Sequence, residues 1–196
     1  EASKALLRSS YTHNEVLADI PRGKSLEGFL YPDSFQRIAA TPATTIISQS
    51  LDEMAENLTP KIVSGFRKQG LSVYQGVILA SMVEQESGDP ADNTKIAQVF
   101  ISRLHKGMLL GSDVTAKYAS VRAGKPFDPS IESPYNTRAS SGLPPTPIGT
   151  VTNNSLEAVA NPASTSYLYF VTFDNGITYL SHTVSQHDAL VQKYCI

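Results

Sequence analysis

The stretch Val77-Ile78-Leu79-Ala80-Ser81-Met82-Val83-Glu84-Gln85-Glu86-Ser87 decides the reading of this chain, because an apolar run of helical character ends there in two carboxylates and a hydroxyl. On a helix, Glu84 and Glu86 lie about 200° apart and cannot act as an acid/base pair across one bond. Glu86 follows Leu79, Met82 and Val83 at i−7, i−4 and i−3, whereas Glu84 follows Val77, Ala80 and Ser81, a smaller and more polar stripe. Greasy neighbours disfavour the ionised form and raise a carboxyl pKa, which is what a general acid working near neutral pH needs. The alternative left open by this local pattern is a pair of solvated helix glutamates.

Working outward, Ser72 and Gln75 form a Ser-x-x-Gln capping box that starts this helix, which runs to about Ser87. Upstream, Ile47, Leu51, Met54, Leu58, Ile62 and Phe66 keep a three-to-four spacing behind Pro42, with Pro60 dividing or kinking the helix and Gly70 stopping it. Downstream, Asp89-Pro90 supplies an N-cap and a first-turn proline, Ile96, Val99, Phe100 and Leu104 mark a buried face, and Lys106-Gly107 ends the helix. Three helices in a row predict an α-rich core around Glu86.

Leu26-Glu27-Gly28-Phe29-Leu30-Tyr31-Pro32-Asp33 reads as an extended aromatic segment stopped by Pro32. Two short amphipathic pieces, Ala2–Ser9 and Asn14–Ile20, precede it and read as the residue of an upstream region, so the expected division is 1–25 and 26–196. From Gly111 to Thr152 the texture turns to Pro, Gly, Ser and Thr with little periodicity, including Leu143-Pro144-Pro145-Thr146-Pro147. Such a length exceeds ordinary loops and predicts either a linker or a binding loop; ordered apolar segments on both sides favour the latter. Leu156–Ala160 reads as a short helix, and Tyr167–Thr172 with Ile177–Leu180 as a hairpin turning at Asn175-Gly176. Ser185 with Asp188 opens a last helix, Gln186–Tyr194. The fold class is therefore α+β: a helical core around a central helix, a long Pro-rich loop, and a C-terminal β-hairpin followed by a helix.

With 196 residues, 41% of them hydrophobic, the chain can bury the core of one domain. A formal net charge of −2 gives no basic stripe, which argues against nucleic acid and anionic membrane surfaces and for a neutral or mixed polymer. The lone Cys195 excludes an intrachain disulfide. His13, His105, His182 and His187 are scattered without metal-ligand spacing, no Gly-x-Ser-x-Gly elbow frames a serine, and no Gly-rich phosphate loop occurs. What survives is carboxylate chemistry, with Glu86 as acid and Asp33, Asp113, Asp128 and Glu132 as conceivable second carboxylates; glycosidic bond cleavage is the reaction that most often uses such an arrangement.

The chain also resembles a known family, the YceG-like endolytic murein transglycosylases. The resemblance is carried by Leu26–Asp33, by Leu79–Ser87, by Val99–Leu104 with Gly107–Leu110, and by Ser112-Asp113-Val114-Thr115. It continues through Ser133–Thr137, Gly142–Ile148, Asn161-Pro162-Ala163 and Tyr167–Val171. Val114 stands where the family usually has proline after the Asp, and Thr146 where glycine usually follows the double proline.

This resemblance implies a bacterial peptidoglycan lytic transglycosylase held at the extracytoplasmic face of the plasma membrane by an N-terminal transmembrane helix. It implies cleavage within glycan strands between N-acetylmuramic acid and N-acetylglucosamine. The catalytic glutamate, the second Glu of the family's Glu-x-Glu motif, falls on Glu86. The expected substrate contacts are Tyr135 as stacking or hydroxyl partner, Asn136 and Thr137 as hydrogen bonders to N-acetyl groups, and Asp113 as orienting acceptor, with Thr115 and Ser87 completing the set. No cofactor and no metal are implied. The expected partners are peptidoglycan glycan strands and the cell-wall synthesis machinery, with no nucleic acid, and a monomer is the default. Two rival functions stand beside this one: a muramidase that hydrolyses the same bond using Asp113 or Asp128, and a non-catalytic wall-binding module.

Overall fold

The computed structural model describes residues 18–86, 89–173 and 177–194. Its elements are α1 (Ala43–Asn57), α2 (Pro60–Lys68), α3 (Val73–Glu86), a 3-10 turn at Pro90–Asp92, α4 (Asn93–His105), α5 (Asp113–Arg122), α6 (Asn153–Ala160), β1 (Tyr169–Thr172), β2 (Thr178–Ser181) and α7 (Val184–Tyr194). This is an α+β arrangement: packed helices and a single two-stranded antiparallel sheet among the described residues.

The central helix is α3. Every residue from Gly76 to Val83 is buried, and a helix apolar on all sides belongs inside a core. It packs against α2, α4, α5 and α6. The Ser72–Gln75 capping box is present in full, Gln75 N donating to Ser72 Oγ (3.2 Å) and Ser72 N to Gln75 Oε1 (2.9 Å). Gly76 lets Phe66 lie against the helix, since a Cβ there would sit 2.3 Å from the ring. The long upstream stripe is divided at Thr59-Pro60: Thr59 Oγ1 accepts from Ile62 N, and Pro60 opens α2. Asp89 caps the 3-10 turn by accepting from Ala91 N, and α4 follows directly.

Several expectations are corrected. The extended segment expected over Leu26–Asp33 is broken at its start by a turn over Leu26–Phe29. Phe29 N donates to Leu26 O (2.9 Å), and Gly28 takes φ +83° at the position where a type II turn requires it. Leu26 and Phe29 thereby both enter the core, and Pro147 packs where a Gly28 Cβ would be. Ile20 is buried in the same core.

The irregular stretch of residues 111–152 contains a ten-residue helix, α5. The rest folds back on the core, with Ile148 N donating to Ser81 Oγ of α3 (3.0 Å). The last helix starts earlier than expected, at Val184, and its box is Thr183 with Gln186: Gln186 N donates to Thr183 Oγ1 and Thr183 N to Gln186 Oε1.

The hairpin pairs Tyr169 with Ser181 and Thr172 with Thr178; its expected Asn175-Gly176 turn lies outside the described residues, as do Ala2–Ser9 and Cys195. Phe170 meets Phe100 edge to face at 5.5 Å. Arg103 of α4 donates from Nε to Leu168 O (2.6 Å), which ties the hairpin to the helical body. Among the described residues no helix is long and apolar enough to cross a membrane.

Candidate active site

The two carboxylates at the end of α3 go to different places. Glu84 accepts from both Thr152 N (3.1 Å) and Thr152 Oγ1 (2.8 Å), so it closes the N-terminus of α6 from outside. Glu86 turns the other way and accepts from Ser112 Oγ through Oε1 at 2.6 Å. Its apolar neighbours Leu79, Met82 and Val83 are wholly buried, but so are Val77, Ala80 and Ser81 behind Glu84. The stripes are therefore equally buried, and the two glutamates differ in what they meet beyond the helix end.

Burial pushes the Glu86 pKa from 4.5 to about 7; the Ser112 hydroxyl pulls it down, and the Asp113 carboxylate pushes it further up. At neutral pH such a group is present in both forms, so it can give a proton and take one back.

Ser112 is the residue that sequence reasoning missed as a partner of the acid. It holds the N-cap position of α5 with extended backbone (φ −90°, ψ 125°), but its side chain makes no capping bond. The hydroxyl goes to Glu86 instead. Its one sequence signal is the Ser-Asp-x-Thr helix start, which reads as an ordinary cap.

Of the expected substrate-contact residues, Asp113 is exposed and paired with Arg138 Nη1 at 2.6 Å. Tyr135 is half-buried. Its hydroxyl bonds Thr146 Oγ1 (2.9 Å), its ring leans on Tyr118 (centroids 5.0 Å), and the Arg122 guanidinium lies over it at 5.2 Å.

Asn136 is fully buried. Its Nδ2 donates to Pro129 O (3.1 Å) and Ile131 O (2.9 Å), and its Oδ1 accepts from Arg138 N (3.1 Å). Those bonds occupy an amide that was expected to meet an N-acetyl group. Thr115 and Thr137 are likewise buried, and they bond each other (2.9 Å) and the backbone of Ser112. Ser87 lies outside the described residues. The structure thus gathers Glu86, Ser112, Thr115, Thr137, Asp113 and Arg138 in one network. Tyr135 stands apart, in the cluster with Thr146, Tyr118 and Arg122.

Among the other carboxylates, Asp128 accepts from Ser130 N and Oγ, and Asp33 accepts from Ser34 N. Among the described residues no three His, Cys, Asp or Glu side chains gather to hold a metal.

The chain belongs to the YceG-like family, whose model it matches over residues 2–193. It is 34% identical over 175 residues to an endolytic murein transglycosylase of Bacillus subtilis, covering 86% of this chain and 48% of that protein. It is 30% identical over 178 residues to an endolytic murein transglycosylase of Streptococcus pneumoniae, covering 86% of this chain and 32% of that one. The chain thus spans about half the length of the first relative and a third of the second. Among solved structures, a yceG-like protein of Listeria monocytogenes superposes with a TM-score of 0.75 at 34% identity, covering 84% of this chain and 55% of that one.

Proposed function

We propose that this chain is the catalytic part of an endolytic peptidoglycan lytic transglycosylase, cutting between N-acetylmuramic acid and N-acetylglucosamine and leaving 1,6-anhydromuramoyl ends. The observation that carries the reading is the Glu86 carboxyl: it ends a helix buried on all sides, with a pKa raised to about 7 and a hydroxyl donor at 2.6 Å. The activity for which its relatives are named supports it.

Protonated Glu86 gives its proton to the glycosidic oxygen as the bond to the muramoyl C1 breaks. The carboxylate then takes the proton of the C6 hydroxyl of the same sugar, whose oxygen closes on C1. No water is consumed, and Glu86 ends the cycle protonated as it began. Ser112 donates to the carboxylate form and so supports the first half of the cycle, in which Glu86 loses its proton. Asp113 with Arg138 provides an exposed charged pair beside the acid, suited to orienting the sugar or its substituents. Tyr135, with Tyr118 and Arg122, offers a partly exposed aromatic surface for the strand further along.

Because this polymer lies outside the plasma membrane, the reading carries a location with it: the extracytoplasmic face, in a parent protein anchored by an N-terminal membrane helix. Proximity to the cell-wall synthesis machinery, as a monomer, completes the proposal.

The test is digestion of purified sacculi by the wild-type chain and by Glu86→Gln, with mass spectrometry of the released fragments. The proposal expects anhydro ends from the wild type and no release by the variant. Reducing ends would favour the muramidase, and binding to sacculi without release would favour a non-catalytic module.

A further inference from the structure

Ser112 is held with unusual completeness, and the donors can be counted. Thr137 N donates to Thr115 Oγ1 (3.1 Å), and Thr115 Oγ1 donates its single proton to Ser112 O (2.7 Å). In the 2.9 Å contact between the two threonine hydroxyls, Thr137 must therefore be the donor. Thr137 Oγ1 in turn accepts from Ser112 N (3.1 Å). The result is a closed circuit, running from Ser112 N–H through Thr137 and Thr115 back to Ser112 C=O. Thr115, Thr137 and Ser112 are 0%, 1% and 2% exposed, so no water competes for these bonds.

We propose that Thr115 and Thr137 are positioning residues, whose paired hydroxyls clamp both backbone polar groups of Ser112 and so aim its side chain at Glu86. This rests on the reading of Glu86 as the acid. The clamp is delivered by two independent segments. Thr115 comes from the first turn of α5, and Thr137 from the loop that Asn136 organises. A second bond, Gly111 N to Thr137 O (2.9 Å), registers the two segments one residue earlier.

The consequence for chemistry follows from the groups that face Glu86. Asp113 faces it from α5 and raises its pKa, Arg138 pairs with Asp113 from the loop, and Ser112 lowers the pKa by donating to the carboxylate. Glu84, on the same helix, is turned to Thr152. The clamp thus acts on a hydrogen bond that favours the ionised form.

The experiment reads the Glu86 titration directly, by carboxyl-carbon NMR on the folded chain, beside the pH profile of glycan cleavage. The variants are Ser112→Ala, Thr115→Val, Thr137→Val, Thr115→Ser and Thr137→Ser. Ser112→Ala should move the Glu86 midpoint up by about one unit, and each valine variant should move it the same way by about half a unit. Both serine variants should leave it at the wild-type position. The alkaline limb of cleavage should move up in parallel, with kcat below that limb reduced by no more than about threefold in the valine variants and KM little changed. Should Thr137→Val not fold, Thr137→Ala, which leaves room for a water, takes its place with the same expected shift. Valine variants that lower the thermal midpoint but leave the Glu86 titration unmoved would reduce the threonines to a structural stitch and overturn the proposal. A Glu86 midpoint that moves as expected while the cleavage profile stays still would keep the clamp and overturn Glu86 as the acid.

Discussion

At the scale of single residues, the raised pKa of Glu86 has a cost in stability as well as a use in chemistry. The folded chain binds this proton more tightly than the unfolded chain does, so between the unfolded range near 4.5 and the folded value of about 7 stability falls as pH rises. Above pH 7 the desolvated carboxylate costs on the order of 3 kcal/mol, and below 4.5 it costs nothing. Glu86→Gln keeps the shape and can still accept from Ser112, but it carries no charge and gives no proton. The variant should therefore lose turnover while its thermal midpoint at pH 8 rises by several degrees, an advantage that vanishes near pH 4. Scanning calorimetry at the two pH values checks this, and a midpoint unchanged at pH 8 would contradict it. The helix that ends at Glu86 was legible in its apolar run and its capping box. The inward-facing roles of Asn136, Thr115 and Thr137 were not, because a polar side chain spent on its own loop and one offered to a ligand have the same composition.

At the scale of elements, Glu84 gives the clearest expectation. Its carboxylate receives two donors from Thr152, and removing it leaves both at the entrance of α6 without that partner. Glu84→Ala should destabilise by about 1–3 kcal/mol in urea denaturation, whereas Glu84→Gln, which can still accept, should lose less than about 1 kcal/mol and keep most of its activity. Equal losses of activity in the Glu84 and Glu86 glutamine variants would contradict the separation of their roles. Gly65 marks the contact of α2 with α6, where an added Cβ would sit 2.5 Å from Ala160 O. Backbone cannot step aside as a side chain can, so Gly65→Ala should cost about 1–3 kcal/mol of stability.

The helices around Glu86 were readable because their buried faces are large and apolar and their starts carry capping chemistry. Helix α5 was not: its buried residues are Thr115, Ala116, Ala119 and Ser120, too small and polar to print an apolar period on the sequence. The Leu26–Phe29 turn was missed because Leu26 and Phe29 look like strand residues until Gly28 bends the chain between them.

At the scale of the whole molecule, the segments that read as least structured are the ones that build the site. The loop after α5 carries Thr137 and Arg138 to Ser112 and Asp113, and then runs along α3 through Ile148 and Ser81 before Thr152 meets Glu84. One helix end is thus pinned on two sides by a single returning stretch of chain, which supports the rigid geometry that a one-carboxyl mechanism needs to keep C6, C1 and the acid in register. In the proposed mechanism Glu86 alone serves as acid and then base, with the sugar's own hydroxyl as nucleophile. Digestion of sacculi in water enriched in heavy oxygen tests it most directly. The expected muramoyl ends carry no label and are lighter than reducing ends by one water, with none formed by Glu86→Gln. Ends bearing one heavy oxygen at C1 would show that water is the nucleophile and would contradict it.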